Sequence, residues 1–247
     1  MSLNPLIKDR ASGTRPAGRR KGGWTALLEQ GANVLQTTAP LKRFDVYVVG
    51  FHCAKRQPQM QMEAHHFCKV VNEDLLQCVV FDGNTADANL IGLEYIVSGE
   101  LFDTLPEQER PLWHPHNYEV FSGTLCAPGL PQAAERRLME HLVNSYGKTW
   151  HTWHTGAPGS PGTDLPLGEA TLMWSFNREG ETDPALEQDL AGGMGLDFRA
   201  RHEERRRLLP LARPQHGVDA MRADFPGSTP VPGVVDAAGA GGSPASG

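Results

Sequence analysis

Long apolar runs are missing from this 247-residue chain. No stretch approaches the ~18 to 20 residues that cross a bilayer, and the opening MSLNPLIKDR lacks the apolar core of a secretory signal. These absences predict a soluble, cytoplasmic protein. Cysteine is scarce and irregularly spaced: Cys53, Cys68, Cys78 and Cys126 form no CxxC pair. Without an export signal they read as four buried thiols, with Cys68 inert on an apolar face. The nucleophile elbow Gly-x-Ser-x-Gly, the P-loop, the dinucleotide pattern G-x-G-x-x-G and H-E-x-x-H are all absent, so serine-hydrolase, ATP and NAD chemistry lack support. Gly192-Gly193-Met194-Gly195 follows no strand pattern and reads as a turn.

The formal net charge of -6 is uneven. Residues 1–43 carry Lys8, Arg10, Arg15, Arg19, Arg20, Lys21, Lys42 and Arg43 against Asp9 and Glu29, a balance of +6 that leaves -12 on the remainder. An acidic body argues against nucleic acid as a partner. The basic segment, interleaved with Gly, Pro and Ser, reads as a largely flexible arm; a phosphate or anionic-lipid contact and a transit peptide are the alternatives. From Gly227 the chain runs GSTPVPGVVDAAGAGGSPASG with one charge and no aromatic residue, a composition that predicts disorder. The expected organisation is therefore an arm over 1–43, one domain over 44–216 and a Gly/Ala/Pro-rich tail over 217–247.

Within the domain, β-type runs dominate. Asp45–Cys53, Leu75–Asp82, Leu90–Ser98, Tyr118–Ala127, Lys148–Thr155 and Ala170–Asn177 are predicted strands, and the loop GNTADAN predicts a hairpin between the second and third. Apolar residues at helical spacing predict helices over Met60–Val71 and Pro131–Tyr146, with a charged third over Phe198–Leu209. Strands outnumber helices without βα alternation. The expected fold is a single α+β domain with a mainly antiparallel sheet flanked by two or three helices.

Histidine is what the chain does have. Eight of its ten lie between His52 and His154, six of them grouped as His65–His66, His114–His116 and His151–His154. An H-x-H pair in an extended segment puts both imidazoles of His114 and His116 on one face, within reach of one ion. Pro115 makes this an edge or strand entry. Glu119 joins the pair only if a bend intervenes. On the predicted helix His65 and His66 point about 100° apart, so both are candidate ligands but not of one ion directly together. His151 and His154 have opposite strand parity, and either choice sets a tryptophan beside a histidine. Trp113, Trp150 and His154 are therefore candidates for lining a cofactor or ligand pocket. Glu94, in LIGLEYIVS, is on a wet face or buried with a partner; if buried it and Glu119 are candidate bases or further ligands. Two nitrogens and a carboxylate suit zinc, iron or manganese.

Several strings in one order resemble the oil body-associated protein family: HHFCKVVNEDLLQCVVFDG (65–83), LIGLEYIVSGELFDTLPEQERPLWHPHNYEVFSG (90–123), LMEHLVNSYGKTWHTWHT (138–155) and LPLGEATLMWSFNREG (165–180). The Trp113-His114-x-His116-x-x-Glu119 string matches the family pattern, whereas Trp150–His154 varies among members. The resemblance implies an association with seed oil bodies in plant members and no defining reaction. The H-x-H-then-Glu order also resembles the first cupin motif, but its Glu follows after two residues rather than three or four and the upstream glycine is replaced by ERPLW. Two functions follow as expectations. One is a divalent-metal protein, with haem as a weaker variant, that acts as a metalloenzyme on a small or lipid-derived molecule. The other is a non-enzymatic protein of a lipid-body or membrane surface.

Overall fold

In the computed structural model, residues 6–157 and 160–238 are described. The chain begins with helix α1 (Gly23–Leu35) and continues into an antiparallel meander of β1 (Val46–Ala54), β2 (Gln57–Asn72), β3 (Leu75–Phe81) and β4 (Leu90–Val97). There follow α2 (Gly99–Asp103), β5 (His114–Pro115), α3 (Asn117–Ser122), α4 (Gln132–Leu142), β6 (Tyr146–His151), the small pair β7 (Gly156–Ala157) and β8 (Ser160–Pro161), β9 (Thr171–Trp174), α5 (Pro184–Met194) and α6 (Phe198–Arg205). One edge of β6 pairs with β4. Its other edge takes β5 at Tyr146–Gly147 and β9 at Trp150–His151, and β9 pairs with β1. The ring β1-β2-β3-β4-β6-β9 thus closes into an all-antiparallel barrel. The α+β class and the β3–β4 hairpin are as expected.

Directly paired residues share a face, so the ladder registers define the barrel wall. Val48, Gly50 and His52 pair with His66, Ala64 and Met62. The same face continues through Val80 and Cys78 to Gly92 and Glu94, then to His151 and Thr149. Gly50, Ala64, Gly92, Gly147 and Thr149 leave the volume that imidazoles occupy. The outward faces of β1 and β9 carry Val49, Phe51, Cys53 and Trp174 into the main apolar core, which Tyr118, Phe121, Leu186, Leu190, Met194 and Leu208 complete. Met139 and Leu142 of α4 join the same cluster as Val48, Leu76 and Ile96, covering one end of the barrel. At the other end residues 10–14 lie against the β3–β4 turn, with Arg10 N–H donating to Asn84 Oδ1 and Ser12 Oγ to Asp82 Oδ2.

Four local expectations are corrected. Met60–Val71 is strand, within β2, not helix. It is paired on both edges and alternates Met62, Ala64, His66 and Cys68 inward with Glu63, His65 and Phe67 outward. Because both faces are covered, the polar–apolar alternation that marks a strand is lost, and the helical spacing is coincidental. Tyr118–Ala127 is not a strand: Asn117–Ser122 is helix α3, buried on every side, which hides its period, and Gly123 at φ 84° ends it. Gly192–Gly195 is the last turn of α5 and its left-handed cap rather than a free turn. Cys68 and Cys78, opposite each other on β2 and β3, form a disulfide; Cys53 and Cys126 are the buried free thiols. Helix α1 was not expected at all. Order also extends further into the tails than composition suggests. Thr229 pairs with Glu179, Asp236 with Gln215, and Val234 is buried. Residues 239–247 lie outside the described residues.

Candidate metal centre

Inside the barrel five polar side chains from four segments converge. Glu94 comes from the middle of β4, His66 from β2 and His52 from β1. His114 stands on β5 directly opposite Gly147 of β6. His116 follows at the entry to α3, where the chain turns from strand to helix. That turn is the bend Glu119 needed, and it stands one helical turn beyond His116 with its Oε2 4.0 Å from His116 Nε2. All six residues are at most 5% exposed.

Glu94 Oε1 lies 3.3 Å from His114 Nε2 and 3.3 Å from His116 Nε2, and the two nitrogens are 3.2 Å apart. Its other oxygen, Oε2, lies 2.8 Å from His66 Nε2 and 3.9 Å from His52 Nε2. Gly147 makes this convergence possible. A Cβ there would sit 2.5 Å from His114 Nε2 and 2.7 Å from His116 Nε2, and would collide with Glu94 Oε1. The rings are oriented from behind: Ser145 Oγ is 2.8 Å from His116 Nδ1, and His151 Nε2 is 3.1 Å from His52 Nδ1. His114 packs edge-on against Trp174. Several polar atoms nevertheless stay unpaired. Both nitrogens of His66 and Nδ1 of His114 are buried without a hydrogen bond, since the close approach of His66 to Glu94 lacks hydrogen-bond geometry. Buried polar groups are rarely left so.

Burial favours the neutral form of Glu94, but the electrostatic pull of nearby His66 and the hydrogen bonds of His114 and His116 outweigh it and hold the carboxyl well below its usual range. Burial drives the imidazoles the other way: His114 falls to about 4, His151 to about 3, and His52 well below its ordinary value. Burial, and then the Glu94 charge, push Glu119 well above the usual carboxylate range. The interior thus combines a carboxylate held ionised with the neutral imidazoles of His52, His114 and His151, the forms in which such groups bind cations.

Not every candidate residue belongs to this cluster. His65, next to His66, faces outward because adjacent strand residues alternate. Its Nδ1 meets Tyr47 Oη at 2.7 Å and its Nε2 meets Glu63 Oε1 at 2.8 Å. Trp113 packs with Phe102 and Tyr146 and donates from Nε1 to Glu109 at 3.0 Å. Trp150 is on the outer face of β6, paired with Leu93 and Leu172. His154 lies beyond the end of β6, 3.1 Å from Ser160 Oγ. None of these three lines the cluster. Sequence reasoning missed His52, although period-two spacing from Val48 and Gly50 carries it to the same face. It also left His151 open, whose parity only the β4–β6 register settles.

Several known proteins are similar to this chain. The family described as "Protein of unknown function (DUF1264)" matches residues 38–209. Oil body-associated protein 1A of Zea mays is 42% identical over 201 residues, covering 80% of each chain. Oil body-associated protein 1B of Arabidopsis thaliana is 36% identical over 194 residues, 78% of this chain and 79% of that one. Oil body-associated protein 2B of Arabidopsis thaliana is 39% identical over 163 residues, 66% and 64% respectively. No solved structure matches. With the family match and these relatives spanning most of its barrel and helices, the chain belongs to the oil body-associated protein family.

Proposed function

We propose that this protein holds a divalent cation (zinc, iron or manganese) inside its barrel, with Glu94, His114 and His116 as ligands and Glu119 beside them. One observation carries the reading: Glu94 Oε1, His114 Nε2 and His116 Nε2 form a triangle with edges of 3.3, 3.3 and 3.2 Å. A tetrahedral shell with bonds of ~2.0 to 2.1 Å has donor–donor edges of about 3.3 to 3.4 Å. Two imidazoles and one carboxylate leave coordination positions for water or a reactant, as catalytic rather than closed structural sites do. That supports a metalloenzyme acting on a small or lipid-derived molecule, with Glu119, whose carboxyl is pushed by burial toward its protonated form, as the acid group. A cleft of about 400 Å³ at the end of the barrel reached by Arg10 and Thr14 has Met62 in its wall, and Met62 Sδ is 3.2 Å from His151 Nδ1. Metal analysis of protein purified without a histidine tag tests the proposal. About one ion or more per chain is expected, with that content lost in a His114→Ala/His116→Ala double variant. Substoichiometric metal, or metal unchanged in the variant, refutes it.

A second reading, association with a lipid surface, is favoured by α1. Trp24, Leu27, Leu28, Val34 and Leu35 are all exposed on a helix with no buried residue, next to the basic run Arg19-Arg20-Lys21. Such a helix suits the headgroup boundary of a lipid layer, and the relatives carry the name oil body-associated. Among the described residues no helix is long and apolar enough to cross a membrane. The full chain is expected to float with anionic liposomes, and a Trp24→Ser/Leu28→Ser variant to remain in the dense fraction. No flotation of the full chain ends this reading.

A further inference from the structure

We infer that the barrel binds two cations rather than one, with the Glu94 carboxylate bridging them. This rests on the metal-centre reading above and extends it. The two oxygens of Glu94 face two different pairs of imidazoles. Oε1 is shared by His114 and His116, each at 3.3 Å. Oε2 points the other way, 2.8 Å from His66 Nε2 and 3.9 Å from His52 Nε2. Two sets of three potential ligand atoms, His52/His66/Glu94 and Glu94/His114/His116, therefore share one residue.

A single ion on the Oε1 side explains only half of this arrangement. It leaves His66 Nε2 buried beside a carboxylate oxygen with no hydrogen bond, and His66 Nδ1 unpaired as well. A lone structural imidazole in that position would turn to donate in line to Oε2; a ligand keeps its lone pair aimed at a shared point. His52 is held in the matching orientation. Its Nδ1 meets His151 Nε2 at 3.1 Å, which leaves Nε2 directed at Glu94. A partner on the far nitrogen of a ligating histidine is a recurrent feature of metal sites, and His116 has the same support from Ser145. Nitrogen and carboxylate donors with open positions suit zinc, manganese or iron(II) on both sides. Paired ions of this kind stand ~3.5 to 4 Å apart and act together on the attacking and leaving oxygens of a hydrolytic displacement. The substrate class this implies is an ester or phosphoester. A water held by the ions would add its oxygen to the carbonyl carbon or phosphorus, and the bond to the ester oxygen would break. The proton the water loses would pass to that oxygen, which leaves as an alcohol.

The test uses the full chain, purified without a histidine tag, stripped with chelator and titrated with Mn(II) alone. Two Mn(II) per chain are expected after gel filtration, with the electron paramagnetic resonance spectrum of an exchange-coupled pair. A His52→Gln variant should fall from two ions to one and show an uncoupled six-line spectrum, whereas His65→Gln, altered on the outward face, should keep two. One uncoupled ion in the unaltered protein overturns the bridged pair and leaves the single centre standing; no bound ion overturns both. Two ions that remain uncoupled, or two retained by His52→Gln, overturn the assigned bridge and ligands. Should His52→Gln fail to fold, the stoichiometry and spectrum of the unaltered protein decide alone.

Discussion

A carboxylate buried among imidazoles ionises only because those rings replace the water it has lost. Glu94 illustrates this, and the arrangement depends on a residue with no side chain. Gly147 leaves the space into which Glu94 Oε1, His114 Nε2 and His116 Nε2 all project. Gly147→Ala is therefore expected to cost about 1 to 3 kcal/mol through overpacking and to abolish binding at the proposed metal centre, as read by urea denaturation alongside metal analysis. A Gly147→Ala protein that keeps both stability and metal would separate the glycine from the site. Residue-scale signals were partly legible. The H-x-H pair and Glu94 are visible in the sequence as types capable of this chemistry. Gly147 is not, because a glycine in a strand looks the same whether it faces solvent or a crowded interior.

At the scale of elements, α3 shows how a short helix orients two groups. Its entry carries His116, its first turn brings Glu119 back beneath that ring, and its exit at Gly123 admits α6. Gly123 adopts φ 84°, and a Cβ there would meet His202 N at 2.8 Å and Arg201 Cβ at 3.0 Å, besides colliding with Phe198 O. Gly123→Ala should cost about 1 to 3 kcal/mol, from left-handed backbone strain and displacement of α6. Thermal unfolding would show it, and a variant as stable as the parent would contradict the account. Elements bounded by strong turn chemistry were predictable, such as the β3–β4 hairpin and α4, which begins after Pro131. Elements covered on all sides were not. Strand β2 and helix α3 lose the contrast between wet and dry faces on which periodicity depends.

On the scale of the whole molecule, closing the sheet turns isolated histidines into a charge-coupled interior with a consequence for stability. In the metal-free protein His114 titrates near 4 and His151 near 3, against 6.5 in an unfolded chain. Between those values the unfolded chain binds more protons. The stability these rings contribute is complete above about pH 6.5 and is lost as pH falls toward 4. Glu94, held low, adds to the loss at the acid end of this window. Glu119, held high, works in the opposite sense and blunts it. The expected outcome is a decline on the order of 3 kcal/mol between pH 7 and pH 4.5, measured by urea denaturation of chelator-treated protein and reduced in His114→Gln. A flat profile across that range would contradict the coupling.

Composition and local pattern by themselves determined the α+β class, the main hairpin, two of the helices and the residue types of the candidate site, while the resemblance of several strings implied the family. These depend on contacts close in sequence or on the identities of single residues. Tertiary structure alone decided that the sheet closes, that His66 turns inward while His65 turns out, that His52 joins Glu94, and that Trp113, Trp150 and His154 stand apart from the cluster. Strand parity assigns a side chain to one of two faces, but which face is the interior depends on partners far along the chain, and in a barrel that choice is made only when the last strand pairs with the first.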